Sequence, residues 1–92
     1  MVIRHDETLT SRLEDAVLHG GARISWDEMY LWYGVQKLAA GTWRDLAARW
    51  AKVVESIKAA KIPEWSDPGK PMRIDDRTGF FIFGDKRTKP VA

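Results

Sequence analysis

The chain has 92 residues and a mass of 10.5 kDa, which suffices for one folded domain over residues 1–92 and excludes a multidomain enzyme. Hydrophobic residues make up 45% of the sequence and five residues are tryptophan, so the composition is that of a globular protein rather than a disordered one. The absence of cysteine excludes disulfides and thiolate metal sites, and a formal net charge of +2 is too small to identify a partner by itself.

The first predicted element is a helix from Leu9 to His19. Its apolar residues recur at helical spacing, and they are Leu9, Leu13, Ala16 and Val17. Gly20–Gly21 follows, and glycine tolerates the left-handed conformation that ends many helices. Residues 1–7 are predicted to be a flexible N-terminus. Residues 22–24 are too few for a pattern, so they form either a link or one short strand.

A second helix is predicted to begin at Trp26, because Ser25 and Glu28 have the spacing of a capping box. Apolar residues lie on two sides of this segment, which is typical of a central helix, and we extend it to Ala40. Gly34 lies in its middle, where glycine costs about 1 kcal/mol relative to alanine. A turn at Gly34 that splits the segment is therefore the alternative.

The third helix carries the strongest signal in the sequence and is predicted to run from Trp43 to about Ala60. Gly41 ends the preceding segment, and Thr42 is suited to cap the new helix. Apolar residues keep to one stripe for five turns, while charged residues occupy the opposite side. Pro63 follows, so the helical part of the chain is expected to span residues 8–61.

The last part of the chain, residues 71–84, is predicted to be a β-hairpin. Met72 and Ile74 alternate with polar residues, and a polar turn over residues 75–79 separates them from the apolar run Phe80–Phe83. The second strand is apolar on both faces. One face must pack on the helices, and the other is either covered or a contact surface. Residues 85–92 are predicted to form a basic tail.

This order of a helix, a short extended link, two helices joined by a tight turn, and a hairpin resembles a winged helix-turn-helix domain. The resemblance implies an α+β fold with three helices followed by a C-terminal β-hairpin. In that family the third helix enters the major groove of double-stranded DNA, and the hairpin, called the wing, lies on the adjacent backbone. It thus implies a prokaryotic or phage transcription regulator that binds DNA through Arg44, Arg49, Lys52, Ser56, Lys58, Arg77, Thr78, Lys86 and Arg87.

Acidic residues on the same surfaces leave a second function open. Asp45 and Glu55 lie on the outer side of the third helix, and Asp75 and Asp76 lie beside Arg77, where they would repel phosphates. The alternative is a protein-binding adaptor or a phage-type inhibitor of a host defence or transcription machine, acting through aromatic and mixed-charge surfaces. Its predicted interface residues are Trp32, Trp65, Phe80 and Ile82. A homodimer is also open, with Trp32 and the hairpin face as places for the contact.

The sequence contains no recognisable catalytic or metal-binding motif. His5 and His19 are the only histidines, neither has metal-ligand partners at a suitable spacing, and no serine has a histidine base nearby. We therefore expect a binding protein without catalytic residues, metal or cofactor. The charged start of the chain and the lack of a long apolar run predict a cytoplasmic protein that does not interact with membranes.

Overall fold

Three helices and one three-stranded antiparallel sheet form the computed structural model, which describes residues 2–87. The expected α+β class is confirmed, and the sheet has one strand more than the predicted hairpin. The elements in chain order are α1 (Ile3–His19), β1 (Ala22–Ser25), α2 (Trp26–Tyr33), α3 (Ala40–Ala59), β2 (Pro71–Asp75), β3 (Gly79–Gly84) and a 3-10 turn (Asp85–Arg87). Residues 88–92 of the predicted basic tail lie outside the described residues.

The sheet has the order β1-β3-β2, so the last strand lies in the centre. Arg23 of β1 and Ile74 of β2 both face Phe81 of β3 in the antiparallel register. Residues 22–24, for which the sequence allowed either a link or a short strand, therefore belong to a strand, because β3 pairs with them. Its pairing continues beyond the strand end, where the Trp26 N–H donates a hydrogen bond to the Thr78 carbonyl at 3.1 Å.

The two faces of β3 have different surroundings. Phe80 and Ile82 point to the helices and are buried, whereas Phe81 and Phe83 stack on each other on the opposite face, with ring centroids 5.9 Å apart. The face with Phe80 and Ile82 is called the inner face below, and the other is called the outer face. One buried cluster joins the inner face to all three helices, and it includes Leu9, Leu13, Ala16, Val17, Ile24, Met29, Leu46, Trp50, Val53, Val54 and Ile57.

Arg12 of α1 connects three elements at one end of this core. Its guanidinium donates to both carboxylate oxygens of Glu28 in α2, at 3.1 and 2.8 Å, and to the carbonyl of Arg23 in β1, at 2.7 Å. It also lies over the ring of Trp32, 5.5 Å from the centroid. Burial alone would raise the pKa of Glu28, but hydrogen bonds from Arg12 and the Ser25 N–H outweigh it and lower that pKa.

Helix α1 begins at Ile3, well before the predicted start at Leu9. The Asp6 N–H bonds to the Val2 carbonyl, and the Asp6 carboxylate forms a salt bridge with Arg49 of α3. This long-range contact holds the first turn in place. Residues 3–7, which were predicted to belong to a flexible N-terminus, are therefore part of helix α1.

Helix α2 ends at Tyr33, so its predicted extension to Ala40 is wrong and the alternative of a turn at Gly34 is correct. Gly34 adopts the left-handed conformation, with φ of 63°, and its N–H caps the carbonyl of Tyr30. At the other end of α2, the predicted capping box is confirmed, because Ser25 and Glu28 exchange both hydrogen bonds.

Helix α3 begins at Ala40 and ends at Ala59, close to the predicted end. Its start differs, because the N-cap is Ala39, which offers no side-chain hydrogen bond, and the predicted cap Thr42 lies inside the first turn. The Thr42 N–H instead donates to the Ala39 carbonyl at 3.0 Å. The turn between the last two helices therefore runs from Gly34 to Ala39 and not through Gly41–Thr42.

The contrast between Gly34 and Gly41 gives a first test. Gly34→Ala should destabilise the protein by about 1 kcal/mol, because a side chain is strained in the left-handed conformation although the space around it is open. Gly41→Ala should stabilise it by about 0.5 kcal/mol, because alanine favours a helix and would meet only the end of Arg44 at 3.9 Å. Urea denaturation of the two variants measures both changes. Equal effects would contradict this assignment of the turn.

Candidate nucleic-acid interface

The exposed side of α3 is determined by its buried stripe. Because the apolar residues of the helix face the core, the opposite side carries Arg44, Ala48, Lys52 and Glu55, all of them exposed. Neither Arg44 nor Lys52 forms a salt bridge with any residue between 2 and 87. These two cations therefore lie where the sequence predicted them, on the open side of the helix and separated by small residues.

Arg49 was predicted to lie on that side as well, but the structure places it toward α1. Its Nε bonds to Asp45 at 2.7 Å, and its guanidinium also pairs with Asp6. Tyr33 donates to the same carboxylate of Asp45 at 2.8 Å. Burial of Tyr33, together with the neighbouring Asp45 charge, raises the pKa of Tyr33 well above its ordinary value. Arg49 therefore links α3 to α1 directly, and to α2 through Asp45 and Tyr33. It does not lie on the open side of α3 with Arg44 and Lys52.

Ser56 and Lys58 are the two remaining residues of α3 that were predicted to contact DNA. Ser56 lines a groove of about 440 Å³ between α1 and α3, and Lys52 lines the same groove together with the acids Asp6, Glu14 and Asp45. Lys58 forms a salt bridge with Asp67 at 3.0 Å, and the hydrogen bond between them raises the pKa of Lys58. Only part of the predicted set on α3 therefore shares one open surface.

The turn of the hairpin is held by Asp76. Its carboxylate accepts hydrogen bonds from the N–H groups of Thr78 and Gly79, at 2.8 and 3.0 Å, and from Arg23 of β1, at 2.8 Å. The bond from Arg23 and the bonds from these N–H groups lower the pKa of Asp76. Thr78 was predicted to touch DNA, but its hydroxyl bonds to Arg23 and Asp76. Arg77 at the tip is exposed.

The second acid of the turn, Asp75, is also paired. Arg73 donates to it at 2.7 and 2.6 Å while its guanidinium lies over Trp43, 3.7 Å from the ring centroid. This contact links β2 to the first turn of α3. Arg73 was not among the residues predicted from sequence, because the alternation of Met72 and Ile74 favours those two on the core side of the strand, whereas the structure exposes them and turns Arg73 toward the helices.

The predicted aromatic contact surface is largely inside the protein. Trp32 is 4% exposed beneath Arg12, and Phe80 and Ile82 are fully buried on the inner face, so the expectation that these three are exposed is wrong. Trp65 is partly buried and donates its Nε1–H to the Val17 carbonyl at 3.1 Å. The apolar residues that are exposed on the sheet are Met72, Ile74 and Phe81 of the outer face.

The tail contributes little to the described surface. Lys86 is exposed in the 3-10 turn, and the Lys86 N–H donates to the Pro68 carbonyl at 2.9 Å. The side chain of Arg87 lies outside the described part of the chain. The cations that remain on the side of α3 and the hairpin turn are therefore Arg44, Lys52 and Arg77.

Comparisons of the chain with protein-family models, curated proteins and solved structures found no match. The described residues contain no group of three His, Asp or Glu side chains arranged to hold a metal ion. No helix between residues 2 and 87 has the length and apolar character needed to cross a lipid bilayer.

The Asp76 cluster makes stability depend on acidic pH. Because folding lowers the pKa of Asp76, its ionised form stabilises the protein above the ordinary value of about 3.9, and this contribution is lost as pH falls through the lowered value. We expect Asp76→Asn to be less stable than the parent at neutral pH, and the gap to narrow between about pH 5 and about pH 2. Urea midpoints across this range measure the gap.

Asp15→Asn is the control for this experiment, since Asp15 is an exposed carboxylate of α1 without an ion pair among the described residues. It should lose little stability at neutral pH. A gap for Asp76→Asn that stays constant from neutral to acidic pH would contradict the role of the carboxylate charge in the turn.

Proposed function

We propose that the chain is a small winged-helix-like module that binds double-stranded DNA and carries out no catalysis. In this proposal α3 lies in the major groove, and the turn of the β2–β3 hairpin lies on the neighbouring backbone as a short wing. The observation that carries the proposal is the open side of α3, where Arg44 and Lys52 are exposed and small side chains lie between them.

The dimensions of this side suit a groove of DNA. Arg44 and Lys52 are eight residues apart, which corresponds to about 12 Å along the helix axis, or about three base-pair steps. Ala48 lies between them and Ala51 beside them, so the backbone of the helix can approach base edges closely. The major groove is about 12 Å wide and admits one α-helix.

The order of elements supports the same proposal. The helices and strands follow one another as α1, β1, α2, α3, β2 and β3, and the sheet order β1-β3-β2 is compatible with a winged-helix-like layout. The wing is short, because β1 and the Asp76 cluster hold the turn back against the body of the protein. Arg77 is thus the side chain of the turn that is best placed to reach a phosphate.

The acids that opposed DNA binding in the sequence are mostly neutralised by arginines within the chain. Asp45, Asp75 and Asp76 each form a salt bridge, and their charges are therefore balanced locally. Glu55 and Glu14 form no salt bridge among the described residues, and Glu14 lines the groove beside Lys52. Because each salt bridge also neutralises an arginine, the charge that DNA would meet is set by Arg44, Lys52 and Arg77 against these two acids.

Fluorescence anisotropy with labelled random and genomic duplexes at two salt concentrations tests this proposal. We expect affinity to fall steeply with salt, because phosphate binding releases counterions. Each of Lys52→Ala and Arg77→Ala should reduce the slope of log K against log salt by about 1 if the side chain binds one phosphate. Arg44→Ala should cost about 1–3 kcal/mol and relax sequence preference if Arg44 contacts a base.

Arg4→Ala is the matched control, because it removes one positive charge from α1, outside the proposed surface. It should change affinity much less than the three other substitutions. If the parent protein does not bind duplex DNA even at low salt, or if Arg4→Ala weakens binding as much as Lys52→Ala, the proposal is wrong.

A protein-binding module, such as an adaptor or a phage-type inhibitor, is the second candidate function. The exposed Met72, Ile74 and Phe81 on the outer face favour it, because neighbouring exposed apolar side chains commonly mark a protein contact. If Ile74→Ala and Phe81→Ala abolish function in cells while Arg44→Ala and Lys52→Ala leave it intact, a protein partner replaces DNA. The opposite pattern supports DNA.

A further inference from the structure

Strand β2 is an edge of the sheet, and its single strand partner among residues 2–87 is β3. The Asp76 N–H donates to the Gly79 carbonyl at 2.8 Å, so alternate residues counted back from Asp76 are the ones that bond to β3. The residues between them point their backbone groups in the opposite direction. The N–H and carbonyl groups of Arg73 and Asp75, and the carbonyl of Pro71, therefore face the open edge.

These backbone groups are of the kind that recognises another strand. Arg73 and Asp75 each present one donor and one acceptor, spaced by two residues along β2. The backbone of an extended polypeptide carries donors and acceptors with the same spacing, whereas a lipid or a nucleic acid does not. Residues 72–75 are exposed, so an added strand can reach this edge. The edge therefore selects an extended peptide.

A groove between α3 and β2 lies beside these backbone groups. It has a volume of about 150 Å³, and its walls include Trp43, Leu46 and Ala47 on α3 and Pro71 and Ile82 on the sheet. A cavity of this size with apolar walls holds a molecule as large as benzene. Because Ile82 lies on the inner face, the side chains of an added strand that point to the same face would point toward this groove. One apolar side chain of the peptide fits there.

A second, larger groove continues from the first along α3. It has a volume of about 710 Å³, shares Ala47 and Pro71 with the first groove, and is lined on the helix side by Trp50, Ala51 and Val54. Its rim carries both signs of charge, from Glu55, Asp67, Lys70, Asp85 and Lys86. The rim therefore favours neither sign of ligand, and the helix side favours apolar groups. A peptide that pairs with β2 and continues past Pro71 would cover this groove.

The side chains of β2 limit which strands fit the edge. Arg73 binds Asp75 and lies over Trp43, 3.7 Å from the ring centroid, so the two charges already pair with each other. Pro71 has no N–H and ends the pairing on its side. A second copy that paired through its own β2 would bring another Arg73 and Asp75 toward an apolar groove, where charges are costly. A segment with apolar side chains on that face avoids this cost.

We propose that the edge of β2 and the two grooves beside it bind an extended peptide segment of another protein. The segment adds a fourth strand to the sheet and places an apolar side chain against Trp43 and Ala47. This inference does not depend on the DNA-binding proposal, because neither Arg44 nor Lys52 lines these grooves.

Selection of phage-displayed random peptides on the parent chain tests this proposal. Peptides of about ten residues are long enough to pair with β2 and to continue into the larger groove. The enriched peptides should carry apolar residues at alternate positions, because only one face of an added strand points toward the groove. Isothermal titration calorimetry with a synthetic form of the most enriched peptide then measures its affinity for each variant.

Two neighbouring alanines of α3 provide the variant and its matched control. Both are exposed, but Ala47 lines both grooves and Ala48 lines neither. Ala47→Arg should weaken peptide binding by at least roughly tenfold, because a charged side chain would fill the groove and be buried by the peptide. Ala48→Arg should leave the affinity nearly unchanged. Arginine is a good helix former at either position, and thermal unfolding verifies that both variants are folded.

Amide hydrogen exchange measured by NMR tests the strand pairing itself. Bound peptide should slow exchange of the Arg73 and Asp75 N–H groups by at least roughly tenfold, because both become hydrogen-bonded donors. Methylation of the peptide backbone nitrogens, one at a time, should prevent binding at every second position and be tolerated at the positions between. This alternation is expected because only every second amide of an added strand faces β2.

The proposal is wrong if no peptide is enriched, or if Ala48→Arg weakens binding as much as Ala47→Arg does. It is also wrong if a peptide binds without slowing exchange of the Arg73 and Asp75 N–H groups, because the strand pairing would then be absent. Self-association of the parent chain that Ala47→Arg abolishes would assign the edge to a second copy instead. Loss of binding confined to Ala47→Arg, together with slowed exchange at both residues, supports the proposal.

Discussion

The central strand β3 is the constraint on which the rest of the fold depends. It is apolar on both faces, because Phe80 and Ile82 alternate with Phe81 and Phe83, and three helices on one side can cover only one of these faces. The helices bury Phe80 and Ile82 of the inner face. On the outer face the rings of Phe81 and Phe83 stack on each other, and Phe81 stays exposed while Phe83 is 9% exposed, so the fold itself leaves apolar side chains at the surface.

Arginine pairs determine how charge is distributed over this fold. Among residues 2–87, five salt bridges join an arginine to an acid, namely Arg12–Glu28, Arg23–Asp76, Arg49–Asp6, Arg49–Asp45 and Arg73–Asp75. These arginines also make a further contact each. Arg12 donates to the Arg23 carbonyl, Arg23 donates to Thr78, Arg73 lies over Trp43, and Arg49 pairs with two acids. The charges outside these pairs then decide the surface potential, and on the open side of α3 they are Arg44, Lys52 and Glu55.

The features that sequence predicts correctly are those that depend on residues close together along the chain. The stripe of α3, the capping box of Ser25 and Glu28, and the hairpin all follow from local spacing. Partners far apart in sequence could not be predicted in this way. Arg49 meets Asp6 across 43 positions and Arg23 meets Asp76 across 53, so their side chains looked free in the sequence. The burial of Trp32 beneath Arg12 has the same non-local origin.

The packing of the helices on one face of β3 also decides which side of α3 is open. Helix α3 packs its apolar stripe toward the inner face of the sheet, so Arg44 and Lys52 point away from the sheet. The outer face has no helix against it, and Met72, Ile74 and Phe81 are exposed there for that reason. The positive side of α3 and the exposed apolar residues of the sheet are therefore two consequences of the same arrangement, in which three helices cover one face of a strand that is apolar on both.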